Sequence, residues 1–311
     1  MPSKLPLTEL HLFTLIDELL LTSYRMLKMA IPRIVWQTWK THQVPDKWKE
    51  SPESIRRYCP GWKYRLTDDQ ENLDFVRKEF PQYLSLYQSF DREIYRVDMV
   101  RYLRLYRYGG VYMDLDIKLK RPLDELFKGD GDLYLVRTPN LNGYTNSFMA
   151  SKPKCPFWLR CIEEIKRRSQ NRPWYIIGDL KVIWTTGPDM ITEVARQYNQ
   201  PFVTIPYLLG HPCTICDHYL NRPCSEDDSY VEELQGSSWT GTASSLFHFV
   251  VCRWDLVVPL VIMVILLLLF LLTRPWTWGT NSNEVQVLDP KRLDSKVRVQ
   301  VAPGSYQKIL N

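Results

Sequence analysis

The 311-residue sequence has no internal repeat, no Asn-x-Ser/Thr sequon and no block of basic residues. The first absence leaves no sign of a stacked-repeat architecture. The missing sequon leaves the compartment unmarked. The 40 Lys and Arg are interspersed with 35 Asp and Glu, so a net charge of +5 makes no basic stripe, and no nucleic-acid partner is expected. A clean signal peptide is also lacking. Leu5 to Leu27 is apolar but interrupted by His11, Asp17 and Glu18, with no small-residue cleavage site behind it. Its apolar positions Leu12, Leu15, Ile16, Leu19 and Leu20 recur at helical spacing, so residues 1–30 are expected to be an amphipathic, interfacial or domain-packing segment.

Cysteine is present but sparsely patterned. His211-Pro212-Cys213-Thr214-Ile215-Cys216-Asp217-His218, followed by Cys224, offers zinc-type ligands and a Cys-x-x-Cys hook without a second well-spaced pair, so zinc, a disulfide and a loop staple all stay open. Cys252 is a candidate juxtamembrane acylation site. Seven cysteines leave at least one unpaired.

At 45% hydrophobic and 24% charged, the chain can bury one substantial α/β core and still carry a tail. Strands are predicted at 33–37, 62–66, 111–113 and 132–137, and helices at Asp68–Glu79, Arg92–Tyr108, Pro156–Arg168 and Asp189–Tyr198. This alternation predicts a mixed, mainly parallel sheet with helices on both faces. The run Leu256–Leu272 has no charge and is flanked by Trp254, Trp276 and Trp278. At ~1.5 Å per residue the run and its flanks match a bilayer core of about 30 Å, so residues 254–273 are predicted to span a membrane. Arg274, Lys291, Arg292, Lys296, Arg298 and Lys308 make residues 274–311 a basic, disordered tail, which the positive-inside rule assigns to the cytosol. The soluble part would then be lumenal.

The most informative stretch runs from Arg96 to Asp116. Val97, Val100, Leu103 and Leu105 predict a helix with one buried side, on which Asp98, Arg101 and Tyr102 share a face. Gly109-Gly110 stops it through positive φ, and Val111-Tyr112-Met113 reads as a short strand that delivers Asp114 and Asp116 at its carboxyl end. On one side of an extended chain, these two carboxylates would offer hard oxygen ligands to one divalent cation. An isolated Asp-x-Asp is often only a turn, and Asp98 with Arg101 could be only a surface ion pair worth a few tenths of a kcal/mol.

These residues carry a resemblance. Ile31-Pro32-Arg33-Ile34-Val35-Trp36-Gln37-Thr38-Trp39-Lys40-Thr41, the Arg-x-Asp…Arg-Tyr helix and Tyr108-Gly109-Gly110-Val111-Tyr112-Met113-Asp114-Leu115-Asp116 resemble the Asp-x-Asp sugar transferases of glycosyltransferase family 32. Asn146-Ser147-Phe148-Met149-Ala150-Ser151-Lys152-Pro153 with Pro156-Phe157, then Thr186-Gly187-Pro188 and Gly236-Ser237-Ser238-Trp239, resemble the inositol phosphorylceramide mannosyltransferases within it. The likeness covers about residues 31–240, and a C-terminal span is shared with that subgroup.

The resemblance implies a GT-A-type nucleotide-diphospho-sugar transferase fold, a Rossmann-like mixed sheet over residues 31–245. It implies a retaining transfer that uses Mn²⁺ or Mg²⁺, with GDP-mannose favoured as donor and a membrane lipid as acceptor. A Golgi or other endomembrane location and a regulatory membrane subunit also follow from it. On matching positions, Trp36 would stack on the nucleotide base, Asp98 would hold ribose or sugar hydroxyls, and Arg101 would steady the sugar or diphosphate. Tyr112 and Asp114 would contact the donor, Asp116 would be the main metal ligand with Asp114 and Ser237 beside it, and Ser237 with Trp239 would close over the diphosphate. A core position for Trp36 is weighed equally, since tryptophans are mostly buried. For Trp239 the competing reading is a membrane-proximal packing residue. Many relatives carry histidine in place of Trp36, and Thr240 stands where a histidine commonly follows the Ser-Trp pair. Rival readings are a UDP-sugar transferase acting on a glycan or protein, and a non-catalytic membrane adaptor.

Overall fold

The computed structural model describes residues 31–139, 143–210, 214–220, 222, 228–234 and 242–273. Six strands form one sheet: β1 (Ile34–Thr38), β2 (Lys63–Thr67), β3 (Gly110–Met113), β5 (Leu133–Arg137), β6 (Tyr144–Ser151) and β7 (Val203–Ile205), in the order β2-β1-β3-β6-β5-β7. β1 runs parallel to β2 and β3, β6 is antiparallel to β3 and β5, and β7 is parallel to β5. β4 (Ile117–Leu119) pairs antiparallel with β8 (Val231–Glu233) in a separate ribbon. The expected mixed α/β sheet is therefore present. β6 and β7 are not among the predicted strands.

Alternation along the central strands divides the core between two faces. Val35, Val111, Phe148 and Ala150 join one apolar cluster, while Trp36, Tyr112 and Met149 join the other. The helices that close these layers begin where their sequences say they should. α1 spans Glu50–Tyr58, and α2 (Asp69–Glu79) opens on a capping box. There Asp68 accepts the Glu71 N–H at 2.8 Å, and the Glu71 carboxylate accepts the Asp68 N–H at 3.0 Å. α3 is Leu84–Ser89 and α4 is Glu93–Tyr108. α5 (Leu123–Leu126) is a single turn; α6 (Pro156–Gln170) and α8 (Pro188–Gln197) start on proline, with α7 (Leu180–Thr185) between them.

α4 is buried from Asp98 to Leu105 without interruption, so the prediction of one buried side is too narrow. Gly109 (φ +66°) ends the helix and Gly110 (φ +95°) turns the chain into β3. A Cβ at Gly110 would fall 2.6 Å from the Ile34 carbonyl oxygen, so the residue is required both by conformation and by the approach of β1.

After α9 (Tyr207–Gly210) and α10 (Ile215–Tyr219), α11 (Thr242–Cys252) leads to α12 (Trp254–Thr273). Cys216 and Cys252 form a disulfide across 36 residues of sequence. Of the readings left open for Cys216 the disulfide is the one present, and the acylation reading of Cys252 is corrected because its sulfur is taken up in that bond; Cys213 and Cys224 lie outside the described residues. The chain divides into two compact units at Val257/Val258. α12 is a 20-residue helix whose large apolar side chains are exposed along its length, with Asp255 as its sole acid, and it is long enough to cross a bilayer.

Candidate functional site

The carboxyl end of β3 opens into a cleft of about 330 Å³. Its lining includes Asp98, Arg101, Tyr112, Asp114 and Asp116, five of the sequence-predicted site residues. The Asp-x-Asp pair is not extended. Residues 114–117 form a tight turn between β3 and β4, closed by the Ile117 N–H donating to the Asp114 carbonyl at 3.1 Å. This corrects the expectation of an extended segment, since a two-strand exit at this point needs a reversal.

Three neighbours hold that turn. The buried Gln37 side chain donates through Nε2 to the Asp114 carbonyl at 3.1 Å and to Ser51 Oγ at 2.8 Å. Ser51 in turn donates to the Ile117 carbonyl at 2.5 Å. From β6, the Ser147 carbonyl accepts the Asp114 N–H at 2.8 Å. Gln37 and Ser51 have no role in the sequence reading; a glutamine inside the apolar run Ile34–Thr38 is the signal that could have found one of them.

Arg101 ties the floor of the cleft together. Its guanidinium lies 3.0 Å from Asp98 Oδ1 and 3.0 Å from Asp114 Oδ1, donates to the Asn146 carbonyl at 2.8 Å, and sits 4.3 Å from the centre of the Tyr112 ring. Burial disfavours its charge, but Asp114, Tyr112 and Asp98 more than offset this and raise its pKa. Both Asp98 and Arg101 are 3% exposed, so this is no surface ion pair. Asp98 also accepts from Asn146 Nδ2 at 3.0 Å and from the Thr186 hydroxyl at 2.6 Å. Burial pushes its carboxyl up to about 6, against the opposing pull of Arg101 and those two donors. Asn146 and Thr186, which the sequence reading quotes only as motif members, are thus what orient Asp98.

The two aspartates of the pair differ. Asp114 Oδ1 is held by Arg101 and by the Tyr112 hydroxyl, which donates at 2.8 Å. Burial lifts the Tyr112 phenol well above its ordinary value, so it stays a donor. Asp116 is pushed up to about 7 by burial, then by the charges of Asp114 and Glu233. A half-buried carboxylate beside two other acids suits a hard divalent cation, whose charge would relieve the repulsion. β8 brings Glu233 opposite Ile117, and the Leu234 N–H donates to the Asp116 carbonyl at 2.6 Å. Ser237, Trp239 and Thr240 lie outside the described residues.

Trp36 does not line the cleft. Its indole is in the core, donating through Nε1 to the Gly109 carbonyl at 3.0 Å and stacked on Tyr108 at 5.4 Å. Its core reading is the one the structure has. The half-buried ring at the cleft is instead Trp39, set edge-on to the buried Trp48 at 5.0 Å.

Residues 45–131 match the family of glycosyltransferase sugar-binding regions containing a DXD motif. The family region holds α4, the glycine turn and the Asp-x-Asp pair, but neither Asn146 nor Thr186. Inositol phosphoceramide mannosyltransferase 1 of Schizosaccharomyces pombe is 29% identical over 227 residues, 71% of this chain and 66% of that protein. Mannosyl phosphorylinositol ceramide synthase CSH1 of Saccharomyces cerevisiae is 31% identical over 224 residues, 72% of this chain and 57% of that protein. The chain thus spans less than two thirds of the length of these curated relatives. Among solved structures, the PaToxG glycosyltransferase aligns at a TM-score of 0.44 with 16% identity, over 54% of this chain and 70% of that one.

Proposed function

We propose that this chain is a metal-dependent, retaining glycosyltransferase that moves mannose from GDP-mannose to an inositol phosphorylceramide. The observation that carries this reading is the Asp98–Arg101–Asp114 linkage at the floor of a cleft that also presents Asp116. The names of the relatives supply the sugar and the lipid class.

In this reading Trp39 takes the nucleotide base, a flat apolar partner for a flat ring. Asp98, fixed by Asn146 and Thr186, accepts from hydroxyls of the donor sugar or ribose. Arg101 acts through the carboxylates it positions. Asp116, Asp114 and Ser237 would hold Mn²⁺ or Mg²⁺, which supplies charge neutralisation for the departing diphosphate. The sugar–diphosphate bond breaks as the acceptor hydroxyl oxygen attacks from the same face, and its proton passes to the leaving diphosphate. Positioning and electrostatics provide the acceleration. The Cys216–Cys252 disulfide supports an oxidising, lumenal setting for the catalytic unit, in the Golgi or a related endomembrane. A regulatory membrane subunit is part of the proposal.

A donor panel tests it. Detergent-solubilised full-length protein with Mn²⁺ is offered GDP-mannose and several UDP-sugars, each with inositol phosphorylceramide or a soluble inositol phosphate. A mannosylated lipid formed from GDP-mannose is expected. Transfer from a UDP-sugar replaces the donor assignment, and no turnover of any donor favours the non-catalytic adaptor.

A further inference from the structure

Between α6 and α7 the chain makes a loop, residues 171–179, that buries almost none of its apolar side chains. Trp174 is 90% exposed, Tyr175 62% and Ile177 64%, and Leu180 at the start of α7 adds 37%. The two rings touch each other edge-on at 5.9 Å. Water-facing Trp, Tyr, Ile and Leu within seven residues is costly for a loop unless something covers it.

The loop is nevertheless fixed to the catalytic unit. A turn forms where the Ile176 N–H donates to the Pro173 carbonyl at 3.1 Å, and Gly178 takes φ +56°. Asp179, buried, then pairs with Arg92 at 3.1 Å. Arg92 lines the cleft, as do Val182 and Ile183 of α7, so the exposed rings stand on an element whose next turn is the cleft wall. Arg172 and Lys181 flank the apolar tip.

We propose that residues 172–180 dock the catalytic unit onto the interfacial layer of a lipid bilayer, beside the mouth of the cleft. The chemistry favours this occupant over a protein partner. Trp and Tyr have an apolar body and a polar edge, which suits the headgroup boundary, with Ile177 and Leu180 entering the acyl region. Arg172 and Lys181 complement anionic phosphates at the same depth. The chain's own helix Trp254–Thr273 is long and apolar enough to cross a membrane, which favours a bilayer as the surface that covers the loop. The docking loop lies in the first compact unit and is an additional contact, independent of that helix.

The experiment compares full-length protein and Trp174→Phe in vesicles whose lipids are brominated near the headgroup end of the acyl chains. With 11 tryptophans present, the difference between the two proteins isolates Trp174. Brominated lipid is expected to quench that difference signal at least about twofold, and soluble iodide to leave it nearly unchanged. Ile177→Asp, also at an exposed position, should abolish the lipid quenching and restore iodide access. Iodide quenching without lipid quenching in the wild-type protein overturns the proposal, as does Trp174 shielded from both, which would indicate a protein partner. The readout needs no turnover. Lipid quenching in a protein that fails to use GDP-mannose would leave docking in place and remove the proposed function; transfer without quenching would do the reverse.

Discussion

Asp98, Asp114 and Asp116 line one cleft, yet each is held differently, and the differences set what substitutions should do. Asp116→Asn removes a charge that the apo protein carries at a cost, so it should abolish Mn²⁺-dependent transfer while leaving the thermal midpoint unchanged or slightly raised. Calorimetric Mn²⁺ titration alongside melting checks both parts; full turnover in Asp116→Asn would remove the site assignment. The raised carboxyls also fix a pH dependence. Asp98 near 6 and Asp116 near 7 both lie above the ordinary aspartate value of 3.8, so the folded state holds these protons more tightly than the unfolded chain. Their stabilising contribution is complete below about 3.8 and is lost as pH rises to about 7. Cation binding must displace the Asp116 proton, so Mn²⁺ affinity should weaken by up to about tenfold per pH unit below 7. An affinity flat between about pH 8 and 5.5 would contradict this. Asp98, Arg101, Tyr112, Asp114 and Asp116 were legible in the sequence because helix spacing and the glycine pair mark them. Asn146, Thr186 and Ser51 were not, since each acts by a hydrogen bond to a residue distant in sequence, which no local pattern encodes; for Gln37 only its place in an apolar strand gives a local sign.

At the scale of elements, the Gly110 turn is the joint on which β3 enters the sheet. Gly110→Ala places a methyl 2.6 Å from the Ile34 carbonyl oxygen at φ +95°, and should cost about 2–3 kcal/mol, readable by urea unfolding of the catalytic unit. A change under about 0.5 kcal/mol would mean β1 yields there. Periodicity located α2, α4, α6 and α8 to within a residue or two because their caps are written locally in Asp68, Gly109, Pro156 and Pro188. β6 escaped because Tyr144–Ser151 is buried on both faces and mixes Thr, Asn and Ser with Phe and Met, so it shows neither alternation nor a plain apolar run. Trp36 shows the same limit. Its place in a strand was readable, but which face it occupies depends on the register between β1 and β3.

For the whole molecule, the Cys216–Cys252 link closes a long loop just ahead of the apolar helix. Cys252→Ser should lower stability by roughly 3 kcal/mol, with a matching drop in wild-type protein after reduction. An unchanged midpoint in both would show that the link carries no stability. In sealed microsomes the catalytic unit should resist added protease while a C-terminal tag is clipped; digestion of the catalytic unit would reverse the proposed topology. The β4–β8 ribbon bears on how such a protein is made. Both aspartates of the Asp-x-Asp turn leave the ribosome early, but the strand carrying Glu233, and the Leu234 N–H that donates to the Asp116 carbonyl, emerge only shortly before the apolar helix. A chain cut short ahead of β8 would therefore keep every residue of the motif and still lack the strand that closes its turn, which is completed only as synthesis reaches the apolar helix.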